Sequence, residues 1–278
     1  MAEPAAPMGS LQGISLGPGD PGLITRAAWA ALERRDAVWV YPVRSGKTPS
    51  YALDIVQRAG LPLPETHTPL VFPMTHDGEK LARAWLKAAH TVLPWLQAGR
   101  DVLFLVEGDA STYATFGHLA RTVRGLNEQV PVQVTAGVNS FTAACADVGE
   151  PFAEQDDTVA IVPAAYGVGA VDRLLPDFDT LVLMKIKPLI EDLLDWLQAR
   201  DLLGGAHFVE RVGALDERRL SGPELLTLRG SKVSYLSLLI VKNPHRVRGE
   251  RIKGCLKKDG PASSQNAQDR QHAPETAP

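Results

Sequence analysis

The sequence predicts an α/β protein built as two α/β domains with a ligand cleft between them, and three observations predict it. Strand and helix signals alternate along the first half, the pattern of a mostly parallel sheet with helices on both faces. Val102-Leu-Phe-Leu-Val106 is apolar at every position, as a strand covered on both sides must be, and it runs straight into Glu107-Gly-Asp109 and then helical spacing. Past Gly125, Asn127 and Pro131, which have loop composition, the alternation begins again. Open α/β sheets bind ligands at turns that follow strand C-termini, so the Gly108 turn is a candidate site.

The elements follow in order. Leu11 to Leu16 forms a strand, and Gly17-Pro-Gly-Asp-Pro-Gly22 turns the chain. Asp20 as N-cap and Pro21 at the first helical position predict a helix over 21–35 that buries Leu23, Ala27, Ala31 and Leu32. A strand over 37–41 ends at Tyr41-Pro42, and helices follow near 50–59 and over 77–96. In the second of these Leu81, Trp85, Ala88, Ala89 and Val92 recur at helical spacing, Trp85 reads as core, and Pro94 kinks or ends the helix. After the strand at 102–106, a helix over 113–125 turns the free N–H groups of its first turns, from Tyr113, back toward Gly108 and Asp109. The second half reads as strand 132–135, helix 139–147, strands 158–162 and 179–185, helix 189–199, strand 206–212 and a last strand 235–241. The domains are therefore placed at 10–130 and 131–243. From Asn243 onward apolar residues nearly vanish, so 244–278 reads as a disordered polar tail that cannot offset its ordering entropy.

Composition limits the function classes. A net charge of −3 argues against general nucleic-acid affinity, which needs a basic stripe, while leaving room for a compact anionic ligand held by a few local cations. The basic residues between Lys242 and Lys258 read as a solvated tail. No apolar run spans a bilayer, no membrane association is expected, and residues 1–10 lack a signal peptide's basic start and apolar stretch. With two cysteines, Cys145 and Cys255, neither a disulfide framework nor a metal site is expected, and the cytoplasm is the expected compartment. The letters of Gly17 to Gly22 also satisfy G-x-G-x-x-G. A dinucleotide site needs a carboxylate at the end of the next strand, where Tyr41-Pro42 stands instead, so a nicotinamide oxidoreductase is the second reading.

Five segments in order carry a resemblance: Gly17-Pro-Gly-Asp-Pro21, Glu107-Gly-Asp109 with Tyr113, Gly137-Val-Asn-Ser-Phe141, Thr180-Leu-Val-Leu-Met184 and Tyr235-Leu-Ser-Leu-Leu-Ile-Val241. Together they resemble the tetrapyrrole (corrin and porphyrin) methyltransferases, with matching spacing from Leu11 to Lys242. Pro73-Met-Thr-His-Asp77 and Phe208-Val-Glu-Arg-Val-Gly213 are similar to the precorrin-2 C-20 methyltransferase branch. The resemblance implies S-adenosylmethionine as methyl donor, precorrin-2 or cobalt-factor 2 as acceptor in cobalamin synthesis, and a homodimer. Methyl transfer from a sulfonium needs alignment and exclusion of water more than a nucleophilic triad, since orientation alone supplies about 7–11 kcal/mol.

By position the resemblance assigns donor contacts to Gly108, Asp109, Thr112, Asn139, Ser140, Met184, Val212 and Leu236. Met184 and Leu236 would be ordinary core residues in any α/β protein. For the acceptor's carboxylates the first loop and its rim offer Pro18, Gly19, Arg44 and Lys47, with Lys185, Lys187 and Arg211 near later strand ends as the other cations. Glu107 and Asp20 are candidate proton acceptors at the methylated carbon, Asp20 being equally explained as an N-cap; His76 reads as a loop residue. The family pattern has proline where Ala110 stands, proline where Ala136 stands and serine where Asn139 stands, which predicts less rigid loops in the unliganded chain. Other readings within this fold are methylation of another tetrapyrrole position, of RNA or of a protein, and a non-enzymatic carrier.

Overall fold

Ten strands and seven α-helices are arranged around two five-stranded sheets, in a computed structural model that describes residues 7–248. The first sheet contains β1 (Leu11–Ser15), β2 (Val38–Val43), β3 (His67–Val71), β4 (Val102–Val106) and β5 (Val132–Thr135) in the order β3-β2-β4-β1-β5, every pair parallel. Side-chain alternation along β4 explains how it is covered. Val102, Phe104 and Val106 pack with α3 (Gly78–Gln97) and α4 (Phe116–Leu126), while Leu103 and Leu105 pack with α1 (Arg26–Leu32) and α2 (Tyr51–Arg58).

The second sheet contains β6 (Val159–Pro163), β7 (Thr180–Met184), β8 (Ala206–Glu210), β9 (Arg218–Ser221) and β10 (Ser237–Lys242) in the order β6-β7-β10-β8-β9. Leu239 and Val241 face α7 (Ile190–Ala199), and Leu238 and Ile240 face α5 (Ser140–Val148). The short α6 (Val168–Asp172) adds Val171 to the α7 side. Only β6 and β7 run parallel here; β7–β10, β10–β8 and β8–β9 are antiparallel. The expected repeat of a parallel sheet is thus corrected, because β8, β9 and β10 follow one another without crossover α-helices.

Other expectations change with it. The strand at 132–135 has the predicted limits, yet it pairs with β1 as the edge of the first sheet, so the chain leaves that sheet after Thr135 and not near 130. Asp20 and Pro21 start only a 3₁₀ turn, Pro21–Leu23, with the Asp20 carboxylate accepting from Gly22 N at 2.7 Å. The helix begins at Arg26, capped by Thr25, whose Oγ1 accepts from Ala28 N at 3.2 Å. Tyr113 has φ +51°, which no helix tolerates, and α4 starts at Phe116. Pro94 lies inside α3 without ending it. Strand β2 continues through Pro42 because its pairing with β4 stops at Val40 and no ladder donor is needed on that side. Strands β3 and β9 and helix α6 have no counterpart in the sequence reading.

The polar tail expected over 244–278 lies outside the described residues from 249 onward. The compact body reaches Arg246, whose guanidinium donates to Pro176 O at 2.6 Å, so the tail begins later than Asn243. Among the described residues no helix is long and apolar enough to cross a membrane, and no cluster of three or more His, Cys, Asp or Glu is placed to hold a metal.

Candidate active site

Three loops that leave β1, β4 and β5 interlock at one edge of the first sheet. Gly17 and Gly108, both left-handed at φ +75° and +76°, exchange two backbone hydrogen bonds, Gly108 N to Gly17 O at 2.7 Å and Gly17 N to Gly108 O at 3.2 Å. Asp109, nearly fully buried, ties the second loop to the third. Its Oδ2 accepts from Gly137 N at 2.7 Å; its Oδ1 accepts from Ser111 N at 2.8 Å, from Ser111 Oγ and, at 3.4 Å, from Thr112 Oγ1. Burial works against ionisation of this carboxyl, but the donated bonds from Ser111 and Gly137 outweigh it and hold its pKa below the ordinary carboxylate value.

Gly137 has no room for a side chain: a Cβ there would stand 2.3 Å from Ser15 Cβ and 2.9 Å from Gly108 O. The backbone N–H of Ala110 donates to the fully buried Ser15 Oγ at 2.9 Å. Proline could not make that bond, so the expectation that Ala110 loosens the loop is corrected: the loop is pinned to β1 by another means. Ser15→Ala is expected to lower stability by about 1–3 kcal/mol, the cost of an orphaned buried donor. Urea unfolding checks this, and a midpoint equal to the parent's would show that the bond contributes nothing.

These loops form one wall of a cavity of about 780 Å³, and Met184, Lys185, Lys187, Arg211, Val212 and residues 234–238 form another. Of the residues singled out from the sequence, Pro18, Arg44, Glu107, Gly108, Asp109, Thr112, Asn139, Ser140, Met184, Val212 and Leu236 all line it, with Lys185, Lys187 and Arg211. Gly108 leaves open space where a Cβ would stand. Asn139 occupies the N-cap position of α5 but its side chain makes no capping bond, and so its amide is free for other work.

Cations and aromatic rings pair around the cavity. Arg44 lies over Tyr235 at 5.4 Å, Lys185 over Tyr113 at 5.7 Å and Arg211 over Tyr51 at 5.3 Å. Tyr113, Lys185 and Arg211 are also three of the non-glycine residues held at positive φ, a backbone cost that concentrates at ligand sites. Tyr113 Oη donates to Ile161 O of β6 at 3.2 Å, bridging the two sheets. The Glu107 side chain lines the cavity and is open to it, with protein packed around. Desolvation there pushes its carboxyl's pKa up, against the opposing pull of Arg44 and Arg211.

Gly19, Asp20, Lys47 and His76 are not part of the cavity wall. Gly19 instead packs backbone to backbone, since a Cβ on it would meet Val212 O at 2.3 Å and one on Gly213 would meet Asp20 N at 2.3 Å. Asp20 is exposed and engaged as a cap. The structure adds Tyr51, Phe72 and Met74, which the sequence reading did not single out. The Tyr51 hydroxyl is buried without a hydrogen-bond partner, and burial raises its pKa. Met74 had a signal, since it lies within one of the quoted segments, and Phe72 immediately precedes that segment.

A family model described as Tetrapyrrole (Corrin/Porphyrin) Methylases matches residues 10–230. The chain belongs to this family. It is 30% identical over 250 residues to the cobalamin biosynthesis protein CobIJ of Mycobacterium tuberculosis, covering 86% of this chain and 47% of that one. The chain thus spans about half the length of that relative. A probable cobalt-precorrin-2 C(20)-methyltransferase of Methanocaldococcus jannaschii is 29% identical, the match covering 83% of this chain and 94% of that one. The fold is shared with the uroporphyrin-III C-methyl transferase of Thermus thermophilus complexed with S-adenyl homocysteine, at a TM-score of 0.56 and 24% identity over 84% of this chain and 97% of that one.

Proposed function

We propose that this methylase-family protein transfers a methyl group from S-adenosylmethionine to C-20 of precorrin-2 or its cobalt form, in a cleft between two α/β domains. The observation that carries the reading is one cavity that gathers the Gly108 loop, the start of α5, Met184, Val212 and Leu236 from five separate stretches of chain. Its residues fit the donor. Gly108 offers a bare backbone with space above it, Asn139 has an unspent amide, and the first N–H groups of α5 suit a carboxylate. When bound, the donor supplies a methyl group whose bond to positively charged sulfur breaks, leaving its electron pair on sulfur, as the new bond to the ring carbon forms. Gly108, Asn139, Ser140 and Met184 would hold it, while Asp109 and Thr112 hold the loop that holds it. Pro18, near the Gly17 bridge, would border the acceptor.

The acceptor's acetate and propionate carboxylates suit a wall that contains Arg44, Lys185, Lys187 and Arg211. Support for C-20 comes from the activity for which the M. jannaschii relative is named and from Met74 and Val212, which bring both branch-specific segments to the cavity. The test is to supply the purified protein with S-adenosylmethionine and either acceptor, and to locate the added methyl group by NMR. Folded protein that transfers no methyl group to either ring, or transfers it to another carbon, overturns the reading.

The structure separates two cations that the sequence treats alike. Arg44→Ala is expected to raise the acceptor's KM about tenfold with kcat at alkaline pH nearly unchanged, the signature of lost uniform binding, whereas Lys47→Ala should stay within about twofold. Added salt should raise the parent's KM more than that of the Arg44 variant. Equal kinetics for both variants would place the ring away from Arg44. We propose further that the protein is a cytoplasmic homodimer, with fractionation and light scattering as the tests.

A further inference from the structure

The geometry points to Glu107 as the base that removes the proton from the ring carbon once that carbon has been methylated, an inference that rests on the methyl-transfer reading above. Three carboxylates line the cavity. Asp54 is engaged by Arg58 Nε at 2.8 Å, and Asp109 is spent on Gly137, Ser111 and Thr112. Glu107 has neither an ion pair nor a hydrogen bond among the described residues, and it follows β4 directly, at the same strand end as the donor loop. Asp20, the other candidate, lies outside the wall and caps a turn.

Its position is fixed by its neighbours. The paired hydrogen bonds between Gly17 and Gly108 hold the backbone on one side, and the Asp109 carboxylate holds the loop on the other. The side chain is therefore free to act while its attachment is not free to move. Three groups that share the cavity wall lie within its electrostatic reach: Arg44 after β2, Arg211 after β8 and Tyr51 on α2. Desolvation makes the carboxylate more basic, and the two guanidinium groups keep its charged form accessible.

Electron and proton balance define what it does. A meso carbon that has gained a methyl group still holds its hydrogen, and the ring carries one positive charge. Glu107 takes that proton, the C–H electron pair returns to the ring's π system, and the carboxylic acid then loses the proton to water.

The experiment compares Glu107→Gln and Glu107→Asp with the parent, using precorrin-2 with hydrogen or deuterium at C-20. Glu107→Gln is expected to lower kcat by about a hundredfold, the usual contribution of a positioned base. Acceptor KM and calorimetric affinity for S-adenosylhomocysteine should stay within about threefold of the parent. The parent's kcat should fall toward acid pH as Glu107 protonates, and the Gln variant should lose that limb. Deuterium should slow the Gln variant more than the parent, and Glu107→Asp should restore part of the rate. A Gln variant with the parent's kcat and acid limb overturns the role of Glu107 while leaving methyl transfer intact. A parent that binds S-adenosylhomocysteine but methylates no ring overturns the methyl-transfer reading and this inference with it.

Discussion

Asp109→Ala is expected to destabilise the protein by about 1–3 kcal/mol, because it leaves the part-buried Gly137 and Ser111 backbone donors without acceptors and unties two loops at once. Urea unfolding would measure the loss. The pH dependence has a definite sign. A carboxyl whose folded pKa is depressed stabilises fully above its unfolded value, near 3.9, and loses that contribution as the pH falls through the lower folded value. The parent and the variant should therefore differ most at neutral pH and draw together only as the pH falls below the ordinary carboxylate value and through the lower folded one. A gap that persists unchanged into acid would mean that the carboxylate's charge has no part in the latch. Donor binding should weaken as well, through disorder of the loop and not through loss of a direct contact.

Gly137→Ala is expected to cost about 3 kcal/mol, at the upper end of ordinary overpacking, since the new methyl group would meet Ser15 Cβ and the Gly108 carbonyl and neither neighbour can give way cheaply. Ser15 is fully buried and already bonded to Ala110, and Gly108 is fixed by Gly17. Thermal unfolding, with calorimetry for S-adenosylhomocysteine, would test it. A variant with parental melting and affinity would show that the loops slide past each other. The double variant with Asp109→Ala should cost less than the sum, because both substitutions break the same junction.

The parts of the fold legible in the sequence are those with a local cause. Strand β4 reads directly because each of its five residues is buried, and β5 keeps its predicted limits. Strand β3 does not read as a strand: Leu70 alone is buried, and a proline interrupts it at an edge. In β9 two arginines hide the alternation. The sheet to which β5 belongs, and the antiparallel pairing of β8, β9 and β10, depend on partners distant in the chain that no local pattern encodes.

The candidate site divides in the same way. Its glycine turns, Glu107 and most of the cations that line it are visible as residue types at strand ends. Lys47 and Arg44 look alike in sequence, and only the path of the loop after β2 separates them. Asp109 is legible as important but not as a latch, since its partner Gly137 lies on another strand's exit.

The bond from Ala110 N to Ser15 Oγ has one more consequence. A proline ring stiffens a loop permanently, in the folded and the unfolded chain alike. A serine hydroxyl does so only while the bond is made, and every hydrogen bond has a lifetime. The stiffness of this loop is therefore an equilibrium between a fastened and an unfastened form, with water competing for both partners whenever it opens. Heat and denaturant will shift that balance before the sheets themselves give way, so the loop that presents Gly108 to the cavity softens while the fold beneath it is still intact.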